Sequence, residues 1–565
     1  MEQAPRRGLN VRLLSVVVVL ALAWSGLGYR LVVVQAARAD EFSARGLDQR
    51  LDRATLASHR GTIFDRDGRE LAVTVETTTI YANPGEIADP DRVATLLAPM
   101  VGRDLRSVRL DLENESPFVY IARQVDDDTA AAVRAADLPG IYFLTEPGRV
   151  YPTGDLTAHV VGLVERGDNA GIEGLELEYD ELLSGTAGEL LVERDPEGRV
   201  IPQGEYRVSP AEPGADLVLT IKTEVQFAAV EALQRAIDRT GAEAGSVVVI
   251  DPSSGEILAM ANLPTFDPND RDLDPGDAVR NRAITDVFEP GSTQKLVTVA
   301  GALESALVAP TTAFDIPTAI EIQDTVFEDI TSHPDRLTVT EIVTYSSNLG
   351  TILLGDLMGA RLLHKYMHAF GQGRASGIDF PGEADGVLRT PEEWCVTTCL
   401  AGTSIGYHVA VTPLQMAMVY ATIANDGVWV QPHLVSEIVD GGGVREAAVP
   451  LERRVVSEQT ATNMRFMLEA VVDSGTGLSA RVDGYRTGGK TGTTEKYEAA
   501  TQSYSEDDVV ASFIGMAPID DPSVVVAVVL DSPQVDASGG SGAAPVFSEV
   551  MLASLHQLGV PPDGR

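Results

Sequence analysis

Lysine is scarce in this sequence. Of the 565 residues only five are lysine, and arginine supplies every other basic side chain. The five are Lys222, Lys295, Lys365, Lys490 and Lys496. A buried ammonium group can lose its proton and act as a base, whereas a guanidinium group cannot. We therefore expect a retained lysine in this chain to perform a task that excludes arginine.

Cysteine is scarcer still, since Cys395 and Cys399 are the only two. Two thiols without clustered histidines make a poor metal site. A spacing of four is awkward for a disulfide if both residues lie on one helix. We expect two small core residues here, and we expect no metal and no organic cofactor.

Positive charge is in short supply as well. The chain has 83 acidic and 43 basic residues and a formal net charge of -40. Nucleic-acid binding needs cationic surface to neutralise phosphates, so this class of function is excluded. A hydrophobic fraction of 44% is typical of a globular protein, and the length allows two or three domains.

One long apolar run stands near the N-terminus. Residues 13–29 carry no charge, and four more apolar residues follow Arg30. Arginines at positions 6, 7 and 12 precede the run, which predicts a cytoplasmic tail (1–12), a membrane anchor (13–34) and an extracytoplasmic remainder. A cleaved signal peptide is the alternative, because residues 36–39 loosely imitate a cleavage site. Arg30 and Arg38 fit that alternative poorly, so we favour the anchor.

Periodicity divides the rest of the chain into two domains. A polar, partly helical linker is predicted over 35–56, and a β-rich domain over 57–213 that opens with two strands in 58–72 and contains a helix at 127–136. The second domain, 215–558, has an amphipathic helix at 224–239, a hairpin at 246–261 and paired strands at 509–517 and 523–530. Its middle, 291–425, is mostly helical in pattern. Strands at both ends with helices between them predict one mixed sheet, closed by the two ends of the domain, with helices on its faces.

The segment Ser292-Thr-Gln-Lys295 carries a first candidate site. It follows Pro290-Gly291 at a predicted helix start, and a spacing of three puts Ser292 and Lys295 on one face. A serine hydroxyl is a weak nucleophile until a base takes its proton, and a desolvated lysine can be that base.

Two further segments complete the candidate site. In Ser346-Ser-Asn348, Ser346 can relay protons and Asn348 can orient Lys295 or hold a substrate amide. Lys490-Thr-Gly-Thr493 lies on a predicted strand, where Lys490, Thr491 and Thr493 can bind a carboxylate. Gly492 has no side chain that would block a substrate lying along the strand. The backbone N–H groups of Ser292 and Thr493 would form an oxyanion hole.

These three segments, in this order, are typical of β-lactamases and penicillin-binding proteins. The chain resembles a class B penicillin-binding protein of the division type over nearly its whole length. Further resemblance lies in residues 60–68, 149–152, 281–292, 404–407, 411–415 and 543–547. It implies an α+β protein with an N-terminal transmembrane helix, an extended pedestal (dimerisation) domain and a transpeptidase domain, whose central antiparallel sheet is flanked by helices.

The resemblance also implies an activity. The chain would be a peptidoglycan D,D-transpeptidase of the inner membrane that cross-links stem peptides at the division septum, with Ser292 as nucleophile and target of β-lactams. Its partners would be a septal glycosyltransferase of the SEDS family and other division proteins. An elongation-specific transpeptidase, a D,D-carboxypeptidase and a non-catalytic β-lactam sensor or scaffold remain alternatives.

Three positions depart from the family pattern. Lys222 stands where aspartate is expected, and His408 where relatives commonly have glycine. Residues 495–506, after the third segment, are polar and acidic. None of these lies in the three segments, so they bear on loop geometry rather than on the chemistry.

Overall fold

The structure is a computed structural model, and it describes residues 7–42, 50–193, 201, 206–270, 276–323, 325–395, 397–443, 445–498 and 503–563. The chain divides into two compact units. One consists of Met1–Ser58 with Thr186–Glu212, and the other of His59–Gly185 with Pro213–Arg565. All eight candidate site residues belong to the second unit.

The first unit contains the apolar helix. The helix spans Arg7–Val32 and continues as a π-helical turn, Val33–Ala37. Val11–Ala37 is long and apolar enough to cross a membrane, with none of its most apolar window buried. The unit also contains an antiparallel sheet of Leu51–Leu56, Gly188–Glu193 and Tyr206–Ser209. The linker prediction over 35–56 is therefore wrong for its last residues, which pair with a distant segment, while residues 43–49 lie outside the described part.

The second unit begins with a seven-stranded sheet. Its strands are Ile63–Phe64, Glu70–Ala82, Val119–Val125, Ile141–Val150, Asp216–Leu219, Val435–Val439 and Arg445–Ala447. The predicted tight turn is confirmed, because the Asp65 carboxylate accepts from the backbone N–H groups of Asp67 and Arg69. Three helices accompany these strands: Pro90–Met100, Leu105–Leu112 and Asp127–Ala135.

A buried charge cluster follows this sheet in sequence. It lies among the short helices Ala158–Val161, Gly174–Glu178 and Asp180–Ser184 and the strands Leu163–Val164 and Gly171–Glu173. The two oxygens of Glu176 accept from the Nε atoms of Arg60 and Arg149, each at 2.6 Å. All three side chains are at most 3% exposed, so this cluster fixes the segment through paired charges.

The central antiparallel sheet that the resemblance implies is confirmed, whereas the mixed sheet predicted from the strand pattern is wrong, since every strand pair in it is antiparallel. It is antiparallel, in the order Ile257–Leu263, Ala244–Ile250, Val524–Asp531, Ser503–Ala517 and Gly488–Glu498. Helices Thr223–Thr240 and Ala544–Gln557 pack on one face. Helices Lys295–Glu304, Pro413–Ala424 and Glu458–Ser474 pack on the other. Because Gly488–Glu498 is an edge strand, its free side faces the first turn that carries Ser292.

The middle of the chain is less helical than predicted. Helices Val339–Thr344, Asn348–Ala369 and Cys399–Ser404 are present, and Arg282–Thr285 precedes them. Four short strands interrupt the region: Ala313–Asp315, Ile320–Ile322, Thr325–Phe327 and Arg336–Thr338. Another pair, Val428–Val430 and Glu452–Arg454, follows it. Three-residue strands give no periodic signal, which explains the error.

The prediction for the cysteines is also wrong. Cys395 and Cys399 form a disulfide with Cα atoms 5.3 Å apart. Cys395 is exposed and precedes the helix that begins at Cys399. The two residues do not share a helix, so the objection from helical spacing does not apply.

Candidate active site

Ser292 lies in a tight turn before a helix. The turn is a 3₁₀ helix, Gly291–Gln294, which continues into the helix Lys295–Glu304. Gly291 has a φ of +52°, and its N–H donates to the Gly406 carbonyl at 3.1 Å. A side chain at Gly291 would collide with Thr494, so glycine is required. The Ser292 hydroxyl is half-buried and has no hydrogen bond within the described part of the chain.

Lys295 lies one turn after Ser292 and is 1% exposed. Its Nζ atom donates to the Ser346 carbonyl at 2.6 Å and to Asn348 Oδ1 at 2.7 Å, while Ser346 Oγ lies at 3.2 Å. No carboxylate among the described residues forms an ion pair with it. All three of these partners are neutral oxygens, so no described group at hydrogen-bond distance compensates a positive charge on the amine.

Burial has the expected effect on this amine. It lowers the pKa of Lys295 to about 7, against a smaller opposing effect from the Asp329 carboxylate. Near neutral pH a large fraction of Lys295 is therefore unprotonated. An amine in this state, one turn from Ser292, can accept the hydroxyl proton.

Ser346 joins the two lysines of the site. Its hydroxyl accepts from Lys490 Nζ at 2.9 Å and lies near Lys295 Nζ on its other side. Its φ of +58° is unusual for a residue with a side chain. This backbone conformation turns both its hydroxyl and its carbonyl toward the lysine amines. The strained backbone at Ser346 therefore positions two hydrogen-bond acceptors in the site.

Lys490 lies on the edge strand Gly488–Glu498, as predicted, and is 1% exposed. Burial, and then the neighbouring Lys295, holds its pKa well below the ordinary value. Beside it, Thr491 Oγ1 lies 2.8 Å from Thr476 Oγ1. Thr493 is exposed, and its Oγ1 accepts from the backbone N–H of Gly539 at 3.1 Å. These two hydroxyls flank the lysine on one strand.

The structure gives Gly492 a packing role. A Cβ atom there would collide with Ser512 Oγ and lie 3.0 Å from both the Pro290 carbonyl oxygen and Thr293 Cγ2. The missing side chain thus allows close packing of the strand against the turn of Ser292.

Sequence reasoning missed Asp329. Its carboxylate accepts from the backbone N–H groups of Asn348 and Leu349 and from the Ser347 hydroxyl. It thereby fixes the start of the helix that carries Asn348. The only sequence signal is an acidic residue in a segment of short strands, and nothing local links it to Asn348.

Sequence reasoning also missed Glu289, three residues before Ser292. Its Oε1 atom accepts from the backbone N–H of His408 at 2.8 Å and from the Tyr504 hydroxyl at 3.2 Å. His408 has a φ of +62°, a conformation that favours glycine. Glu289, His408 and Tyr504 line a cavity of about 890 Å³, to which none of the eight candidate residues contributes.

The structure thus brings the candidate residues together. Hydrogen bonds connect Lys295, Ser346, Asn348 and Lys490, Gly492 packs on the turn of Ser292, and Thr491 and Thr493 flank Lys490. Within the described residues, no group of three or more His, Cys, Asp or Glu side chains could hold a metal ion. The site contains a hydroxyl group, an amine with a lowered pKa and a second buried amine. These are functional groups that acyl transfer requires.

Comparison with known proteins agrees with this chemistry. The profile of the penicillin-binding protein transpeptidase domain matches residues 245–552, and that of the penicillin-binding protein dimerisation domain matches residues 55–219. The chain is 35% identical to the peptidoglycan D,D-transpeptidase FtsI of Escherichia coli K12 over 90% of this chain and 85% of that protein. It is 33% identical to the penicillin-binding protein PbpB of Mycolicibacterium smegmatis over 98% and 90%, respectively.

A solved structure has the same fold. The crystal structure of penicillin-binding protein 3 from Mycobacterium tuberculosis, complexed with aztreonam, matches with a TM-score of 0.71 and 30% identity. The match covers 90% of this chain and 98% of the other.

Proposed function

The chain belongs to the class B penicillin-binding proteins, and from this premise we propose that it is a peptidoglycan D,D-transpeptidase acting through an acyl-enzyme on Ser292. The observation that carries the proposal is the buried Lys295 amine, which contacts Ser346 and Asn348 one turn from Ser292.

The first half-reaction forms the acyl-enzyme. Neutral Lys295 takes the proton of Ser292 Oγ, and the oxygen attacks the carbonyl of the penultimate D-alanine in a donor stem peptide. The N–H groups of Ser292 and Thr493 stabilise the oxyanion. The C–N bond then breaks, and the terminal D-alanine leaves with a proton that passes through Ser346 from the lysine amines.

Lys490 acts on the terminal carboxylate of the donor. A buried amine with a lowered pKa gains a proton when an anion arrives beside it, because the opposite charge favours the ammonium form. Thr491 and Thr493 add hydroxyl donors along the same strand. Binding of the carboxylate thus converts Lys490 into the cation that holds it.

The second half-reaction forms the cross-link. An amino group of an acceptor stem peptide attacks the ester carbonyl and gives a proton to the neutral Lys295 amine. The C–O bond to Ser292 then breaks, and Lys295 passes this proton to Ser292 Oγ. The same residues account for inhibition, since β-lactams acylate Ser292 in place of the donor. Neither half-reaction needs a metal or an organic cofactor.

Labelling with a fluorescent penicillin tests the proposal. Wild-type protein should become covalently labelled, and Ser292→Ala should not. Equal labelling of the two would refute Ser292 as nucleophile. With stem-peptide donors and acceptors the product should be cross-linked dimer, and release of uncross-linked tetrapeptide alone would instead identify a carboxypeptidase.

We extend the proposal to location and partners. The apolar helix would anchor the protein in the inner membrane, with residues 1–12 in the cytoplasm and the pedestal (57–213) and transpeptidase (215–558) domains outside. By its likeness to the peptidoglycan D,D-transpeptidase FtsI, we propose a septal site for the protein and a SEDS-family glycosyltransferase and other division proteins as its partners. A tagged protein should concentrate at the septum, and uniform lateral labelling would contradict this assignment.

A further inference from the structure

Asp329 and His333 form a partly buried pair beside the segment Ser346–Asn348. Asp329 Oδ2 lies 2.7 Å from His333 Nε2 and accepts from the Ser347 hydroxyl at 2.7 Å. Its Oδ1 accepts from the backbone N–H groups of Asn348 and Leu349. The Asp329 side chain is 8% exposed and that of His333 10%. Neither residue belongs to the three catalytic segments.

The hydrogen-bond partners of His333 favour its protonated form. Its Nε2 atom faces the Asp329 carboxylate, and its Nδ1 atom lies 2.8 Å from the Pro334 carbonyl oxygen. Both partners are acceptors, and only an imidazolium, which donates from both ring nitrogens, satisfies both contacts. Burial opposes this charge, but the hydrogen bonds to Pro334 and Asp329 outweigh it and raise the pKa of His333.

The pair acts on Lys295 through Asn348. Asn348 Oδ1 accepts from Lys295 Nζ at 2.7 Å, while Asn348 Nδ2 donates to the Glu328 carbonyl at 3.0 Å. Residues Glu328 and Asp329 thus hold both the amide group and the backbone of Asn348. The Asp329 carboxylate also favours the charged form of Lys295, against the larger effect of burial on its pKa.

We propose that Asp329 and His333 are positioning residues for acylation: they fix Asn348 against Lys295, and the proton on His333 sets how strongly the Asp329 charge acts on Lys295. The inference rests on the proposed function of Lys295 as base.

The charges around the pair determine the direction of each effect. Lys295 faces it from the cleft, and Asp335 acts on His333 from its own segment. The Asp329 anion stabilises the Lys295 ammonium, so removing this anion lowers the pKa of Lys295. The His333 cation partly cancels the Asp329 charge, so removing this cation raises the pKa of Lys295.

The test measures the rate of acylation of the full-length protein by a fluorescent penicillin as a function of pH. Asp329→Asn keeps an acceptor for the Asn348 N–H but loses the charge, and it should shift the rising limb to lower pH by roughly half a unit or more. His333→Gln should shift it to higher pH. Asp329→Ala also loses the hydrogen bonds and should slow acylation by about a hundredfold. Asp315→Asn, at an exposed ion pair with Arg336 in the same region, is the control and should match wild type.

Opposite shifts in Asp329→Asn and His333→Gln would support the inference. Shifts in the same direction, or unmoved profiles in two folded variants, would overturn it, because a merely structural role lowers the rate without moving the pH limb. Absence of labelling in wild type would instead refute the proposed function. If Asp329→Ala does not fold, the pH profiles of Asp329→Asn and His333→Gln still test the inference.

Discussion

Two clusters of buried basic side chains in this protein differ in whether their positive charges are compensated by carboxylates. In the first, Arg60 and Arg149 share the Glu176 carboxylate, and Asp180 adds a further contact to Arg60 at 2.6 Å. In the second, Lys295 and Lys490 meet at Ser346 and have only neutral acceptors. The arginine cluster compensates each buried charge, whereas the lysine cluster leaves its charges uncompensated so that they can be lost.

The comparison explains the retained lysines. A guanidinium stays charged under all accessible conditions, so arginine suits a cluster whose task is to hold segments together. Burial without a compensating carboxylate lowers the pKa of an ammonium group, so the lysine can lose its proton and act as a base. Lys295 fits this explanation fully and Lys490 in part. Lys222 and Lys496 do not need it, since each forms an ion pair, with Asp67 and Asp531 respectively, at 2.7 Å.

The largest effect should follow from Lys295→Arg. A permanent cation cannot take the Ser292 proton, so the acylation rate should fall by about a thousandfold, or roughly 4 kcal/mol of transition-state stabilisation. Stopped-flow or gel-based penicillin labelling measures this rate, and thermal unfolding verifies the fold. A folded variant whose acylation rate lies within about tenfold of the wild-type rate would contradict the proposed difference between the arginine and lysine clusters.

Glu176→Gln should have the largest effect on stability. It leaves Arg60 and Arg149 buried without their carboxylate, which should lower the free energy of unfolding by about 3–5 kcal/mol. Urea unfolding measures the loss, and the folded fraction should be acylated at the wild-type rate. The control is Asp168→Asn, at a pair with Arg123 whose acid is 74% exposed, with a cost below about 1 kcal/mol. Equal costs for the two would contradict the account.

The sequence predicts the residues of the candidate site better than it predicts the details of the fold. The segments of Ser292, Ser346 and Lys490 were predictable because the chemistry constrains residue types at short spacing. The central hairpin and its helix were predictable from periodicity. The strand Leu51–Leu56, the disulfide Cys395–Cys399 and the Asp329 contacts were not, because each depends on a partner or a helix boundary that local pattern does not define.

Lys490→Arg should have an intermediate effect. The charge remains, but the larger guanidinium does not fit the position beside Ser346, where the lysine is 1% exposed. Acylation should slow by about tenfold to a hundredfold. Because Lys490 is proposed to bind the carboxylate, the loss should be smaller for a β-lactam ester without this anion. An equal loss for both compounds would point to distortion of the site instead.

Lys222→Arg should have the smallest effect. The ion pair with Asp67 needs a positive charge and no change of protonation. The free energy of unfolding should change by less than about 0.5 kcal/mol, and acylation should be unchanged. This variant is the matched control for Lys295→Arg, since the same substitution is made where the lysine forms an ion pair. A large decrease in the acylation rate of this variant would show that replacing lysine by arginine impairs the protein for reasons unrelated to proton transfer.

The most direct test of the central claim is an NMR titration of the lysine side chains. Five lysines in the chain make selective ¹³Cε-lysine labelling practicable, and the spectrum of Lys295→Arg assigns the Lys295 resonance. The account predicts that this resonance titrates with a midpoint near pH 7. A Lys295 resonance that keeps its ammonium position through neutral pH and titrates near the free-lysine value of about 10.4 would contradict it.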